Sequence, residues 1–438
     1  MIDKIKNNGW AIGLGALCCI YFAIQPFDRH LADIFWIILS LTGMAFLAWA
    51  RLNKQTLETP KPLQYALWLC AILPVVSIIS YLASPITNLP INLLEPDLRW
   101  WLIIPIILAM RANGIGPKWL LVFLTTYTLA TFISAGLETN WYSNLSIRAN
   151  GDENAVPYGM FNATIAALLL TLFVSPYIKS QFSSKKITIL IRTTILVLCA
   201  LATLAAIASG TRAALILIPI TIVFIYLLHY PLKKSIPIAT GLVVLLITSV
   251  WLSPPNAVKS KMANAYDNTY HFFAVGDRAS KLTSVGQRLE QWRESWCIFK
   301  ITPITGSGPR SFSEAHQTYG GTQYCNATQY RDHGDYQAHS LYFNHLGTLG
   351  IIGVLSMGLW FAYSIRISWQ RRNTLNPTIE LGSSLMLVTI LCFFVNGITL
   401  DLWFKNHVMD KHTLIWALPL LLIFYKQSES KKMNDENP

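Results

Sequence analysis

The stretch that decides the fold is residues 188–229, which read TILIRTTILVLCALATLAAIASGTRAALILIPITIVFIYLLH. Two apolar runs, 188–208 and 212–229, are separated only by the turn Ser209-Gly210-Thr211-Arg212. An α-helix of about 20 apolar residues crosses the hydrocarbon core of a bilayer. Because lipid cannot hydrogen-bond to open backbone groups, runs of this kind are expected to be helical. The stretch therefore predicts two membrane-spanning helices that meet at a short polar turn.

The rest of the chain has the same character. Of its 438 residues, 53% are hydrophobic and only 13% are charged, whereas soluble domains are about 25% charged. This composition excludes most soluble, disordered and coiled-coil classes. We predict an all-α, polytopic membrane protein with about twelve transmembrane helices. Their apolar runs lie near 9–27, 31–50, 64–84, 98–111, 118–136, 157–178, 188–208, 212–229, 235–253, 340–365, 382–400 and 411–425.

Basic residues give the chain a direction in the membrane. The net charge is +12, and the Lys and Arg residues of the short connections concentrate on the side of the N-terminus. Loops with this bias are cytoplasmic, so we expect both termini in the cytoplasm. The predicted organisation is transmembrane helices 1–9 over 1–253, one long, partly helical periplasmic loop over 254–339, helices 10–12 over 340–425 and a cytoplasmic tail over 426–438. No basic stripe interleaved with stacking aromatic residues is present, so nucleic acid is not an expected partner.

The long loop contains one clear helix signal. Ser284-Val285-Gly286-Gln287 fits a capping box, and Thr302-Pro303 would end the helix after about Lys300. One face of this helix carries Leu289, Trp292, Trp296 and Phe299, and another carries Arg288, Gln291 and Ser295. The apolar face predicts an amphipathic helix that rests on the membrane surface. Two cysteines of the loop, Cys297 and Cys325, could pair in an oxidising compartment.

Four candidate site residues lie on the predicted outer face: Arg148, Arg212, Arg288 and His339. Each also has a purely structural interpretation. Arg148 and Arg288 could be solvated, and Arg212 could snorkel to the membrane interface. His339, at the mouth of a span, could simply bond to a neighbouring carbonyl. Together, however, they bring several guanidinium groups and one imidazole to one surface that has few carboxylates.

This combination indicates a site for a lipid-linked phosphate or diphosphate. The planar fork of arginine suits phosphate oxygens, and guanidinium groups can stabilise a diphosphate leaving group without a divalent metal. A histidine with a near-neutral pKa can take the proton from an attacking hydroxyl.

A metal-dependent alternative rests on Glu95-Pro96-Asp97. This carboxylate-x-carboxylate spacing in an outer loop occurs in metal-dependent membrane glycosyltransferases, but here the motif is isolated and contains a proline. The sequence has neither a Cys/His zinc spacing nor a glycine-rich phosphate loop with lysine. We therefore expect a site built on arginine, without a metal ion or another cofactor.

Over residues 142–360 the chain resembles the O-antigen ligase and polymerase superfamily of bacterial envelope enzymes. Several short motifs carry the resemblance: Arg148 with Gly151, the turn Ser209-Gly210-Thr211-Arg212, Arg288, and Gly306-Ser307-Gly308-Pro309 with Phe312. The most specific motif is His339-Ser340, followed by nine residues, Gly350, two residues and Gly353. That run is similar to the motif of the ligase branch. Many relatives have Pro-Asn where this chain has Pro157-Tyr158.

The resemblance implies a GT-C-like, metal-independent inverting glycosyltransferase of the bacterial inner membrane, with a periplasmic active site. Its donor would be an O-antigen polysaccharide on undecaprenyl diphosphate, and its acceptor a sugar hydroxyl of lipid A-core. Carried over residue by residue, Arg212 and Arg288 would bind the diphosphate. His339 would act as general base or orient the acceptor, and Arg148 would be a further donor-binding residue.

Other functions remain open at this stage. An O-antigen polymerase would use the same donor, and the pairs Arg148/Gly159 and Arg310/Gly321 match an Arg-x10-Gly spacing associated with polymerases. A relative that transfers glycan to protein belongs to the same class. A flippase or secondary transporter would also have about twelve spans, but transporters place ionisable residues near the midplane, and here the polar chemistry clusters on the outer face.

Overall fold

The computed structural model of the chain describes residues 2–141, 143, 147–152, 154–233, 235–237, 240, 241, 244, 257–274, 283–319, 325, 337–402 and 405–425. Apart from an isolated bridge at Cys325, regular structure in these ranges is helical, which confirms the all-α expectation. In chain order the helices are α1 (Ile2–Ile24), α2 (Arg29–Leu52), α3 (Lys61–Leu82), α4 (Glu95–Leu98), α5 (Ile103–Ala112), α6 (Pro117–Glu138), α7 (Ala155–Val174), α8 (Tyr177–Gln181), α9 (Lys185–Ala208), α10 (Arg212–His229), α11 (Ala257–Ala274), α12 (Ser284–Ile301), α13 (Phe312–Tyr319), α14 (Leu341–Arg371), α15 (Pro377–Thr399) and α16 (Asn406–Ile423). Short 3-10 turns, Ile91–Leu94 and Arg99–Leu102, flank α4.

Eight of the described helices are long and apolar enough to cross a membrane. They are α2, α3, α6, α7, α9, α10, α14 and α15, and each overlaps a predicted span. Three further predicted spans coincide with helices that are shorter or more polar, namely α1, α5 and α16. The span predicted over 235–253 lies mostly outside the described residues. The helices therefore support a polytopic membrane protein, while the count of twelve spans and the division into segments stay predictions.

Helices α7 and α15 lie in the interior of the bundle. In their most apolar windows, 83% and 78% of the residues are buried by the rest of the protein, against 17% in α9 and 22% in α10. Helix α7 packs against α9, α10 and α15, and α16 packs against α15 and α5. The interior helices thus form a frame, and the loop before α7 carries Arg148, one of the candidate site residues.

Helix α14 contains a break. At Gly350 the backbone has a φ of 63° and a ψ of −160°, far from helical values. A break of this kind removes hydrogen bonds within the helix, and the freed backbone groups need other partners in a membrane. The loop after α12 provides them through four hydrogen bonds between 2.9 and 3.3 Å. In each pair the N–H of the first residue donates to the carbonyl of the second: Ser307 and Gly347, Gly308 and Thr348, Ile351 and Pro303, and Ile352 and Ile304.

Glycine is required at this break for a steric reason. A Cβ at Gly350 would lie 2.4 Å from the carbonyl oxygen of Ile304, well inside van der Waals contact, and a positive φ is unfavourable for residues that have a Cβ. The segment Gly306-Ser307-Gly308-Pro309 follows the loop helix and docks on the broken helix.

The loop helix α12 has the predicted extent but a different cap. It runs over Ser284–Ile301, close to the expected end at Lys300. Its N-cap residue is Thr283 and not Ser284, because Oγ1 of Thr283 accepts a hydrogen bond from the Gly286 N–H at 3.0 Å. The predicted capping box was therefore wrong by one position.

The buried face of α12 is also not the predicted apolar face. Trp296 is 49% exposed, whereas Glu294 is only 5% exposed. Glu294 is buried because it pairs with His316 of α13, and this contact raises the pKa of His316. On the same side Ser295 packs against Gly347 of α14. Contacts with α13 and α14, including the stack of Trp292 on Phe343, therefore set the orientation of the loop helix.

We predict that Gly350→Ala destabilises the protein by about 1–3 kcal/mol, since the variant must hold a Cβ at positive φ and displace the 303–308 loop. Thermal unfolding of the detergent-purified protein measures this effect. Gly358→Ala in the same helix is the matched control, because a Cβ there meets no atom within 4 Å. Equal unfolding temperatures for both variants would show that the break is not a structural requirement.

Candidate functional site

Arg148 is held against the turn between α9 and α10. Its Nε donates to the carbonyl of Ser209 at 2.8 Å, and its Nη2 donates to Oγ1 of Thr211 at 3.2 Å. The loop that carries Arg148 is thus docked on the segment that carries Arg212, although the two arginines are far apart in the sequence.

Two carboxylates fix the loop around Arg148. Glu138, at the end of α6, accepts hydrogen bonds from the N–H groups of Asn150 and Gly151 at 2.7 and 2.9 Å. Asp152 accepts one from the N–H of Arg29 at 3.0 Å, which ties the loop to the start of α2. The main chain of residues 148–152 is therefore positioned from two other helices.

Gly159 allows the same turn to approach α7. A Cβ at Gly159 would lie 2.0 Å from Oγ of Ser209, so any other residue would push the turn away. Gly159 is the glycine of the Arg148/Gly159 spacing noted for polymerases, and in this structure its role is helix packing. Gly321 of the second such pair lies outside the described residues.

Arg288 reaches the two other arginines from α12. Burial lowers the pKa of Arg288, and the positive charges of Arg212 and Arg148 lower it further. Burial and the charge of Arg212 likewise lower the pKa of Arg148. These mutual repulsions show that the fold brings all three predicted arginines together, from three separate segments. We call them the arginine cluster.

The main chain at His339 is tightly held. Its φ is +46°, an uncommon value for a residue other than glycine. The indole N–H of Trp292 donates to the carbonyl of Ala338 at 3.0 Å, and the Trp292 ring stacks on Phe343 with ring centroids 5.0 Å apart. The N–H of Leu341 donates to the carbonyl of Leu400 at 3.2 Å. His339 therefore sits in a strained conformation that contacts on both sides maintain, as functional residues often do.

Trp292 connects His339 with the arginine cluster. Arg288 and Trp292 are four residues apart on α12, so their Cβ atoms are about 5–6 Å apart on one face of the helix. The helix turn that holds the segment before His339 thus lies next to the turn that carries Arg288. The structure thus brings the three arginines together and holds the main chain before His339 through Trp292 of the same helix as Arg288.

The carboxylates of the predicted metal alternative contact two different arginines. Glu95 pairs with Arg99 at 3.0 Å, and Asp97 pairs with Arg310 at 3.0 Å in a buried ion pair. In the part of the chain that the structure describes, no group of three or more His, Cys, Asp or Glu residues has a geometry that could hold a metal ion. Both carboxylates of the Glu95-Pro96-Asp97 motif therefore form ion pairs within the fold.

Cys297 and Cys325 form a disulfide. The bond joins α12 to the segment after α13, so it limits the movement of the helix that carries Arg288. Such bonds persist in oxidising compartments.

Sequence reasoning missed several residues that build the site. Trp292 was assigned to an apolar face, although its four-residue spacing from Arg288 could have indicated a shared role. Thr211 was quoted only as part of a turn, whereas its hydroxyl group accepts from Arg148 and donates to the carbonyl of Ala155 at 2.7 Å. The contact of Glu138 with the Arg148 loop has no signal in the sequence, because acidic residues near helix ends are common.

Part of the chain matches a known protein family. Residues 197–358 match the family model described as O-antigen ligase. The match includes Arg212, Arg288 and His339, and Arg148 lies before it. The family covers ligases and polymerases of O-antigen, and the match confirms the resemblance inferred from the sequence. No curated protein matches the chain.

We predict that Trp292 controls the conformation at His339. Trp292→Phe keeps the ring stack and removes the indole N–H, whereas Trp292→Ala removes both. The reactivity of His339 should therefore rise from the wild type to Trp292→Phe and rise again in Trp292→Ala. The rate of modification of His339 by diethyl pyrocarbonate, followed by peptide mass spectrometry, measures this. Trp296→Ala is the control, since Trp296 is largely exposed on the same helix. An unchanged rate in Trp292→Ala would show that Trp292 does not hold this segment.

Proposed function

We propose, from the O-antigen ligase domain that the chain carries over residues 197–358, that this protein is an O-antigen ligase. It transfers O-antigen polysaccharide from undecaprenyl diphosphate to a sugar hydroxyl of lipid A-core and so completes lipopolysaccharide. The reaction is an inverting glycosyl transfer that uses no metal ion. The protein lies in the bacterial inner membrane with both termini in the cytoplasm, and its active site faces the periplasm.

The arginine cluster is the observation that carries this proposal. Three guanidinium groups that repel one another and are partly buried form an environment that a diphosphate would stabilise strongly. Charge-assisted hydrogen bonds from guanidinium to phosphate are roughly twice as strong as neutral ones. The residues of the cluster come from the three segments that the sequence predicts to lie on one side of the membrane.

The proposed mechanism assigns each side chain one task. Arg212 and Arg288 bind the diphosphate of the donor, and Arg148, fixed by Ser209 and Thr211, adds to the positive potential. His339 takes the proton of the acceptor hydroxyl as that oxygen attacks the anomeric carbon from the face opposite the diphosphate. The bond from the anomeric carbon to the diphosphate oxygen breaks, and the guanidinium groups stabilise the negative charge that develops there.

Two observations support a periplasmic site. The basic residues of the short loops concentrate on the side of the membrane away from the site, and this bias predicts that the cytoplasm is on that side. The Cys297–Cys325 disulfide lies in the long loop, as expected for a compartment that oxidises thiols.

An O-antigen polymerase is the second candidate, because it would bind the same donor with the same arginines. The His339-Ser340-x9-Gly350-x2-Gly353 run, which is similar to the motif of the ligase branch, favours the ligase. The buried pairing of Arg310 with Asp97, together with its hydrogen bond to the carbonyl of Leu93, gives that arginine a structural role. This weakens the polymerase interpretation of the Arg310/Gly321 spacing.

We predict that His339→Ala and Arg288→Ala each reduce transfer at least about 100-fold, the usual effect of removing a general base or a group that stabilises transition-state charge. Arg288→Lys should restore only part of the activity, since lysine keeps the charge but not the planar fork. The transfer activities of the purified variants and the wild-type protein are compared at equal amounts of membrane protein. Lys300→Ala, an exposed residue at the end of α12, is the control for Arg288. Near-normal transfer by a well-expressed His339→Ala or Arg288→Ala variant would remove that residue from the site.

A deletion strain distinguishes the ligase from the polymerase. Its lipopolysaccharide is separated on a gel, and its lipid-linked glycan is measured in parallel. We expect bare lipid A-core together with accumulated long lipid-linked polymer, because polymerisation continues while delivery stops. Core that still receives single repeats, without a ladder of longer chains, would identify a polymerase and overturn the proposed acceptor.

A further inference from the structure

Helix α11 of the long loop has the length of a membrane span but a different composition. It runs over Ala257–Ala274, and it is not among the eight described helices that are apolar enough to cross a membrane. Lys259, Lys261 and Asp267 lie within it. A helix that is too polar to span a membrane can still be amphipathic, so the arrangement of its side chains around the axis decides what it contacts.

The described side chains of α11 divide into three faces. Asn268 and Phe272, four residues apart, are half-buried and mark the side that packs on the rest of the protein. Helix α11 contacts α10 and α12. A second face is polar and exposed, and it carries Asn264, Asp267 and His271.

The third face of α11 is aromatic. Tyr266, Tyr270 and Phe273 are 73%, 60% and 73% exposed, and their spacings of four and three residues place the rings in one stripe along the helix. We call these three residues the aromatic stripe. A groove of about 380 Å³ runs beside it, lined by Tyr266, Thr269, Tyr270, Phe273 and Ala274. Large apolar side chains grouped on a surface in this way mark a site of interaction.

The neighbouring helix α10 presents an apolar surface to the bilayer. Only 22% of its most apolar window is buried by the protein. Ile216 and Ile220, about one and two turns after Arg212, are 52% and 38% exposed. On a helix of spanning length such side chains contact lipid. Because α11 packs against α10, it lies beside a helix that is largely surrounded by lipid.

The chain also enters α11 directly from the membrane. The sequence predicts a span over 235–253, and Ala257 follows its last residue by four positions. Four residues reach at most about 13–14 Å, and the polar zone on each side of the hydrocarbon core is about 5–8 Å thick. We therefore expect α11 to begin in the headgroup region or just above it.

We propose that α11 is an interfacial helix, which inserts the aromatic stripe among the lipid headgroups and upper acyl chains on the outer face of the protein. Tyrosine suits this depth because its ring is apolar and its hydroxyl group is polar. The face with Asp267 and His271 then points to water. Since α11 packs on α12, the anchor holds the helix of Arg288 close to the membrane. The assignment rests on the membrane character of the chain and not on the proposed glycosyl transfer.

A glycan is the other molecule that could stack on exposed aromatic rings. The groove offers it hydroxyl groups, but its lining contains no charged or amide side chain to read the hydroxyl pattern of a sugar. The contact with α10 and the short connection to a predicted span both favour the bilayer.

Spin labels test the depth of the aromatic stripe in the full-length protein. Cys19→Ala/Cys199→Ala removes the two half-buried free cysteines, and the other free cysteines are buried. Labels are attached at Tyr270→Cys and, as the matched control on the polar face, at Asp267→Cys. In dioleoyl phosphatidylcholine nanodiscs, collisions with oxygen, which concentrates in lipid, are compared with collisions with a water-soluble nickel chelate. We expect the oxygen-to-nickel ratio at Tyr270→Cys to be at least about fivefold that at Asp267→Cys, since an interfacial helix buries its apolar face by about 5–10 Å.

A second position makes the result independent of one variant. Phe273→Cys should give the same high ratio as Tyr270→Cys. Ratios at both positions equal to that of Asp267→Cys would place the stripe in water and overturn the proposal. Labels that are open to nickel in nanodiscs, and become protected only after purified lipid-linked polysaccharide is added, would identify a glycan as the occupant and overturn it too.

Loss of insertion gives a further readout. Phe273→Asp places a charge in the aromatic stripe, and amide hydrogen exchange of α11 in the same nanodiscs should become at least about tenfold faster, because a released helix opens more readily. Asn264→Asp adds the same charge to the exposed polar face and should leave the exchange unchanged. Exchange in Phe273→Asp at the rate of the wild-type protein would show that the stripe does not anchor the helix.

Discussion

Backbone hydrogen bonds between the 303–308 loop and the broken helix α14 link the residues of the candidate site. The loop follows α12, which carries Arg288, and α14 begins two residues after His339. Both residues are therefore positioned relative to the same break at Gly350. Because unpaired backbone groups cost several kcal/mol in a membrane, the loop cannot leave α14 without a large penalty. The hydroxyl group of Ser80, near the end of α3, donates a hydrogen bond to the carbonyl of Thr348 at 3.0 Å. This bond connects α14 to α3.

The arginine cluster opposes folding, and the surrounding structure has to offset that effect. Burial and mutual repulsion disfavour the charged forms of Arg148 and Arg288. Hydrogen bonds from Arg148 to Ser209 and Thr211 compensate part of this cost, and the Thr211 hydroxyl ties the turn to α7 by donating to the carbonyl of Ala155. A site that already holds its donors in place needs little rearrangement when negative charge develops on a substrate, which is the main source of electrostatic catalysis.

The sequence predicted the helical class, and eight of its twelve predicted spans coincide with long apolar helices, because apolar runs are local signals. It also named the three arginines that the fold brings together, whereas the roles of these arginines and of His339 stay predictions. It could not predict Thr283 as the cap of α12, since two neighbouring hydroxyl residues fit the same pattern. The burial of Glu294 depends on His316, and the break at Gly350 depends on Ile304, so both follow from contacts between distant segments.

The loop that carries Arg148 is held in place by negative charge. The carboxylates of Glu138 and Asp152 accept hydrogen bonds from the N–H groups of Asn150, Gly151 and Arg29. These bonds fix the main chain on either side of the loop, so Arg148 keeps its position against Ser209 and Thr211 although the neighbouring arginines repel it. Because the carboxylates bind backbone N–H groups and not the guanidinium of Arg148, they stabilise the loop without pairing with the charge of the arginine cluster.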